Sequence, residues 1–349
     1  MHDAHRGVPA PGSERHSQVG LALPTGVAMR PVDPARDLEP IALLVNEMRM
    51  SVGDPLLDSP ADIHDIVAGT EVNTAADTLL VESRDRVILG YAVAYPVIDS
   101  TKPRVFLMGA THPRYRGRGI GRALLHWSID RAAELLSDHP KGTIQAQCGE
   151  GELLTQRLYQ AAGLRPIRWF ADLRLTLTDG EMGFRPDNRS LAPGYRVVRF
   201  DEFDPEALRL LHNACFADHW GSSPMTHRYW HEEFLKHESL RPGQSEIVID
   251  RDNSGVAYQL TNEFPQDQAT TGRVRWIGSL GVHPAHRRRG LATGLIARHV
   301  DSARHDGFDA SMISVDTDSL TGANRLYERI GYRRQYGGIR YILGGAEFA

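Results

Sequence analysis

The order of secondary-structure signals in this chain is written twice. From Val27 onward the residue pattern predicts strand, helix, helix, three strands, helix, strand, helix, strand, and the same order restarts near Tyr195. Marker residues set the register of the repeat. The pair His112-Pro113 returns as His283-Pro284, 171 residues on, and the triplet Arg157-Leu158-Tyr159 returns as Arg325-Leu326-Tyr327, 168 residues on. Offsets this close argue for duplication. At 349 residues the chain is more than twice the roughly 150 of a common domain, so two domains of one kind are expected. The boundaries read as a disordered arm over 1–26, a first domain over 27–178, a turn-rich linker over 179–193 and a second domain over 194–349.

Composition narrows the partners. Forty basic against 44 acidic residues give a net charge of −4, too small and too mixed for a nucleic-acid or membrane footprint. Cys148 and Cys215 stand alone, with no CxxC and no His/Cys cluster, so no disulfide framework and no metal site are expected. No apolar run reaches the roughly 18 residues that span a bilayer, and the N-terminus has no apolar stretch of an export signal. A cytoplasmic monomer or homodimer acting on a small molecule is the reading that remains.

Both copies converge on one junction. Strands are predicted over 78–82, 87–97 and 105–110 in the first copy, and over 247–250, 256–261 and 274–282 in the second. Each set leads into a glycine-bearing turn and then an amphipathic helix. Its apolar face carries Leu124, Leu125, Ile129, Ala132, Ala133 and Leu136 in the first copy, and Leu291, Leu295, Ile296, Val300 and Ala303 in the second. The turns read Arg116-Gly117-Arg118-Gly119-Ile120-Gly121 and Arg287-Arg288-Arg289-Gly290-Leu291-Ala292. A helix start offers unpaired N–H groups and partial positive charge, and glycine lets a ligand approach the backbone, so the pattern suits a phosphate or pyrophosphate. One such match is expected by chance in an Arg- and Gly-rich chain, and alone it reads equally as a turn with a solvated helix start. Two in register, each after a strand and before a helix, argue for binding. A dinucleotide fold is disfavoured because the second loop lacks GxGxxG spacing and the preceding strands form a meander. A P-loop is excluded because no lysine follows the glycine.

On these residues each copy resembles a GNAT-superfamily acyltransferase domain. The matching segments are the two Arg-x-x-Gly-x-Gly/Ala loops and the later stretches Asn324-Arg325-Leu326-Tyr327-Glu328-Arg329-Ile330-Gly331-Tyr332 and Gln156-Arg157-Leu158-Tyr159-Gln160-Ala161-Ala162-Gly163-Leu164. The resemblance covers nearly all of the chain outside arm and linker. The tandem is similar to that of mycothiol synthase-like members. It implies an α/β fold with a mixed, twisted sheet of about seven strands per domain, helices on both faces, and acetyl-CoA held in a gap between the fourth and fifth strands. It implies further that Arg287, Arg288, Arg289, Gly290, Leu291, Ala292 and Thr293 hold the pyrophosphate, with Leu280 and Val282 pairing the pantetheine arm. In the first copy those parts fall to Arg116, Gly117, Arg118, Gly119, Ile120 and Gly121, with Met108 and Ala110. Tyr327 matches the tyrosine that protonates the departing thiolate, although a helical tyrosine is also an ordinary core residue.

The expected activity is transfer of an acetyl group to a primary amine of a small molecule by direct attack, in the second copy. The ground is the segment Asp218-His219-Trp220, followed by Trp230, where the aromatic walls Trp220 and Trp230 with an acid and an imidazole suit an ammonium group. Packing roles for both tryptophans stay open. The strand where relatives carry a basic glutamate has none here, leaving Glu263, Asp218 and His219 as alternative bases. Asp316 and Asp318 equally suit a helix cap near Thr321, and Cys148 an inert core position. Competing functions are an acyl-CoA sensor without turnover, and transfer of a longer acyl group or to a peptide amine.

Overall fold

The computed structural model describes residues 26–98, 101–178, 191–232, 234–318 and 323–344. The first copy runs β1 (Val27–Arg30), α1 (Pro34–Met50), α2 (Pro60–Ala68), α3 (Thr74–Asp77), β2 (Thr78–Ser83), β3 (Ile88–Val97), β4 (Arg104–Thr111), α4 (Ile120–Leu135), β5 (Thr143–Gly149), α5 (Leu153–Ala161) and β6 (Arg165–Thr176). The second runs β7 (Arg196–Arg199), α6 (Pro205–Phe216), α7 (His227–Glu232), β8 (Glu246–Ile249), β9 (Gly255–Glu263), α8 (Gln268–Thr271), β10 (Val274–Val282), α9 (Leu291–His305), β11 (Ala310–Asp316), α10 (Ala323–Ile330) and β12 (Arg333–Leu343). The expected arm and most of the expected linker lie outside the described residues.

Helix starts differ in what precedes them: α3, α5 and α8 have neither a side-chain cap nor a glycine at the cap. At α1, α2 and α6 an Asp or Ser caps the free N–H groups and a proline with preset φ follows, as Asp33-Pro34, Ser59-Pro60 and Asp204-Pro205. Ser59 completes a capping box with Asp62. At α4 and α9 no side chain caps the helix, and the preceding residue is a left-handed glycine, Gly119 or Gly290. Those two starts keep their donors open.

One twelve-stranded sheet runs through both copies in the order β1-β2-β3-β4-β5-β12-β6-β11-β10-β9-β8-β7. Only β4–β5 and β10–β11 pair in parallel. The seven strands per domain expected from the resemblance are therefore six per copy, with last strands exchanged: β12 lies beside β5, β6 lies beside β11, and the two pair antiparallel at the centre. The cores follow the exchange. Ala171, Leu173, Leu175 and Leu177 of the first copy pack with Ile296, Val300, Ala303 and Tyr327 of the second, while Ile339 and Tyr341 pack with Leu125, Ala132 and Ala146 of the first. Each buried leucine contributes roughly 1.5–3 kcal/mol, so neither half-sheet is complete without the other copy. On the opposite face α1 and α2 cover β2–β4 through Ile41, Leu44, Val45, Ile63 and Val67, and α6 and α7 cover β8–β9 through Leu208, Leu211 and Trp230. In α4 the buried face differs from expectation at one place: Ala133 is exposed, and Ala123 and Ser128 are buried instead.

Candidate active site

The two junctions share one geometry. Each strand runs into a single 3-10 turn whose histidine, His112 or His283, accepts the N–H two residues on at 3.3 Å. The first helical bonds are Ala123 N–H to Gly119 at 3.0 Å and Gly294 N–H to Gly290 at 2.9 Å. The N–H groups of Ile120, Gly121 and the next residue, and of Leu291, Ala292 and Thr293, precede those bonds and lie open beside the helix start, suited to an anion. A Cβ built on Gly117 or Gly290 meets nothing within 4 Å, so the approach is clear. Gly117 has φ +75°, and the second copy puts Arg288 there at φ +62°, a conformation that costs a non-glycine residue roughly 1–2 kcal/mol.

The loop arginines are differently employed. Arg287 bonds the carbonyls of Val282 and Cys215 at 3.2 and 3.0 Å and grips the Asp218 carboxylate, tying the loop to the end of α6. Arg289 donates to the Tyr195 hydroxyl at 2.7 Å. Arg288 is exposed and has no side-chain partner among the described residues. In the first copy Arg116 donates to Ser51 at 3.0 Å, and Arg118 lies over the Tyr115 ring.

Behind each loop the parallel strands part. Pairing of β4 with β5 ends at Leu107↔Ala146, and that of β10 with β11 at Ile277↔Ile313, though β4 and β10 continue along their other neighbours to Thr111 and Val282. Free backbone edges thus line a gap in each copy. The second gap carries a bulge: pairing with β9 slips between Ile277 and Ser279, leaving Gly278 over. Pairing of β3 with β4 has no such slip. Gly278 is exposed, and a Cβ there would lie 1.8 Å from Asn262 Oδ1, so a larger residue would have to displace the Asn262 side chain. Leu280 and Val282 are half-buried beyond the bulge. In the first copy Met108 is exposed at the gap, and Ala110 is buried against α1.

Tyr327 packs with Ile277, Ile313 and Val315 beneath the second gap. Its hydroxyl has no hydrogen-bond partner among the described residues, and burial drives its pKa up, so it stays protonated and able to donate. The matching Tyr159 hydroxyl lies 3.4 Å from the Gln147 carbonyl.

An acid that the sequence does not single out stands beside the second gap. Asp172 stands on β6, opposite Ser314 of β11, whose hydroxyl donates to it. Burial raises its pKa, the nearby Asp54 adds to the rise, and Arg49 opposes it. The equivalent position in the first copy is Arg340, opposite Gln147. The two clefts thus carry opposite charge at the same place in the sheet.

The other expected residues are placed as follows. Glu263 is no free base: Arg241 holds it at 3.1 Å and Arg275 at 2.9 Å, and Arg275 turns toward α9 to bond Asp306. Asp218 is held acidic by Arg287, which lowers its pKa. Trp230 is not a pocket wall: it is 0% exposed, bonded to the Pro205 carbonyl and stacked on Phe234. Trp220 is half-buried, and the protein's own Arg168, itself bonded to Asp316, lies over its ring. His219 packs on Phe216. Burial pushes the Cys148 and Cys215 thiols up to about 12, which makes them poor nucleophiles. Of the cap candidates near Thr321, Asp316 holds Arg168 and accepts the Asp318 N–H at 3.0 Å, and Thr321 itself lies outside the described residues. Glu206, His227 and His231 bring ligand atoms within 4.8 Å of one another, with Arg209 already on the Glu206 carboxylate.

Comparison with known proteins agrees with this architecture. The profile described as the acetyltransferase (GNAT) family matches residues 47–164 and 206–332. The mycothiol acetyltransferase of Thermobispora bispora is 28% identical over 227 residues, covering 64% of this chain and 70% of that protein. The mycothiol acetyltransferase of Streptomyces avermitilis is 24% identical over 323 residues, covering 92% and 93%. A GCN5-related N-acetyltransferase from Sphaerobacter thermophilus superposes with a TM-score of 0.71 at 24% identity, covering 93% of this chain and 99% of that one. No helix among the described residues is long and apolar enough to cross a membrane. With two matched regions, two helix starts behind a left-handed glycine and two parted strand pairs, the chain belongs to the acetyltransferase (GNAT) family, as an acyltransferase with two tandem domains of that kind.

Proposed function

We propose that the second copy transfers the acetyl group of acetyl-CoA to a primary amine of a small molecule. The observation that carries this reading is the hydroxyl of the buried Tyr327, protonated and without a partner among the described residues, beneath the bulged gap. The name carried by the relatives, mycothiol acetyltransferase, supports acetyl transfer to a small acceptor.

In this reading the open N–H groups of Leu291, Ala292 and Thr293, with Arg288, receive the pyrophosphate. Arg287 and Arg289 hold the loop in shape through Asp218 and Tyr195. The free edge of β10 beyond Gly278 aligns the thioester arm through Leu280 and Val282. The amine meets Asp172, whose pKa burial raises, which makes its carboxylate a stronger base toward the ammonium proton. The neutral amine attacks the thioester carbonyl, the C–N bond forms, the C–S bond breaks, and the departing thiolate takes the Tyr327 proton, while the nitrogen gives up its remaining extra proton through solvent, which reprotonates Tyr327 and leaves a neutral amide. Positioning supplies most of the rate. The first copy, with Tyr159 spent on Gln147 and no bulge, binds acyl-CoA through its own loop without turning it over.

The test is thiol release from acetyl-CoA across a panel of primary amines. Release that depends on the amine and falls in Tyr327→Phe is expected. Binding of acetyl-CoA with no amine-dependent release would make the chain a sensor, and full turnover by Tyr327→Phe would remove the assigned acid.

A further inference from the structure

Beside the first cleft stand two guanidiniums that no carboxylate among the described residues answers. Arg104, at the start of β4, gives one N–H to the Gly221 carbonyl, while its buried Nε has no partner. Arg340, on β12, bonds only amide oxygens, at 2.7 and 3.2 Å to Gln147 and 3.2 Å to Gln145. Both lie over the Phe106 ring, at 5.4 and 4.8 Å from its centroid. Burial lowers the pKa of both, and the charge of Arg104 helps bring Arg340 down to about 10. Elsewhere in the fold arginines of similar burial are paired: Arg168 with Asp316, Arg275 with Glu263 and Asp306, Arg49 with Asp54 and Asp58. Nor does the fold itself demand the charge, since the equivalent positions in the second cleft are Val274 and Asp172.

We propose that the first cleft binds a small ligand through an anionic group, a carboxylate or a phosphate, seated between Arg104 and Arg340. Two rigid forks at the edge of a cleft suit the planar oxygens of such a group, and the unpaired Nε of Arg104 supplies a ready donor. Phe106 and the exposed Met108 give the rest of the ligand an apolar surface. The site is composite. Arg104 comes from the first copy, while Arg340 and Gly221 come from the second, so neither copy forms it alone.

The experiment titrates the full chain with succinate and with inorganic phosphate, read by intrinsic tryptophan fluorescence and by the rise in Tm. Saturable binding of at least one probe is expected, weakened about tenfold or more in Arg340→Gln and in Arg104→Gln, and less in Arg340→Lys, which keeps the charge but not the fork. A response to succinate alone assigns a carboxylate ligand, and one to phosphate alone assigns a phosphate ester. Absence of saturable binding, or phosphate binding that survives in both glutamine variants and so belongs to the helix starts, would overturn the proposal.

Discussion

Tyr159 and Tyr327 occupy the same place in the repeat, and only the environment of the hydroxyl separates them. The first lies against a strand carbonyl, and the second has no partner among the described residues. Tyr327→Phe therefore removes a proton donor and no described hydrogen bond, so kcat should fall about 10²-fold while Tm stays put, measured by thiol release and thermal melting. Asp172 and Glu263 invite the complementary contrast. Burial raises the Asp172 pKa, so its basic form gains ground only above the ordinary carboxylate range, and kcat/KM should rise with pH through that raised value. Asp172→Asn should lower kcat/KM about 10²-fold and erase this limb of the profile. Glu263→Gln should leave the profile alone and lower Tm, because Arg275, 4% exposed, loses one of its two carboxylates. Tyr327 could be proposed from the sequence because its motif is local. Asp172 could not, because its partner Ser314 lies 142 residues away and the exchange of last strands alone brings them together. The one available signal was the 168-residue offset, which sets Asp172 against Arg340 and so reverses the charge between the copies.

At the level of elements, helix starts answer the same rule about free N–H groups in different ways. α1, α2 and α6 are capped by Asp33, Ser59 and Asp204, α3, α5 and α8 have no side-chain cap, and only at α4 and α9 among the described helices is the uncapped start preceded by a left-handed glycine. Arg288 shows what the open loop costs, since it adopts the left-handed backbone that Gly117 adopts freely. Arg288→Gly should raise stability by about 1 kcal/mol and at the same time raise KM for acetyl-CoA several-fold, a split visible by pairing melting curves with kinetics. The order of the principal elements was readable because periods of 2 and 3.6 are local properties of the chain. The bulge at Gly278 was not, because it is defined by the slip of β10 against β9, and a lone glycine in a strand announces a bulge only weakly. The same holds for Trp230, whose aromatic composition suggested a pocket wall until α7 turned it inward onto Phe234.

Across the whole molecule, exchange of β6 and β12 makes the two copies one cooperative unit. Fragments 27–178 and 194–349 should each fail to melt cooperatively alone and should copurify with a cooperative transition when expressed together. The seam between the copies also carries a pH dependence with a definite sign. Asp267 of the second copy accepts the Leu57 N–H of the first at 2.6 Å, and burial raises its pKa to about 6. A raised carboxyl pKa means that the folded chain holds a proton the unfolded one has released, so this group's contribution is present below the ordinary value of 3.8 and is lost as pH climbs through about 6. His237 of the second copy faces Asp62 and Asp65 of the first, each at 3.5 Å, and its bond to Asp62 raises its pKa above 6.5. A raised imidazole pKa stabilises the fold fully below 6.5 and ceases to do so as pH passes the folded value. Both groups therefore weaken the seam in the same direction, one on the acid side of neutrality and one near it. Asp267→Asn keeps an acceptor for Leu57 without a charge, so relative to the native chain it should gain about 1–3 kcal/mol between pH 4 and pH 7, whereas His237→Gln should lose its deficit only above pH 6.5. Urea midpoints taken for the three proteins at pH 4, 5.5, 7 and 8.5 separate the two groups. Parallel curves for all three would mean that neither side chain titrates at the seam.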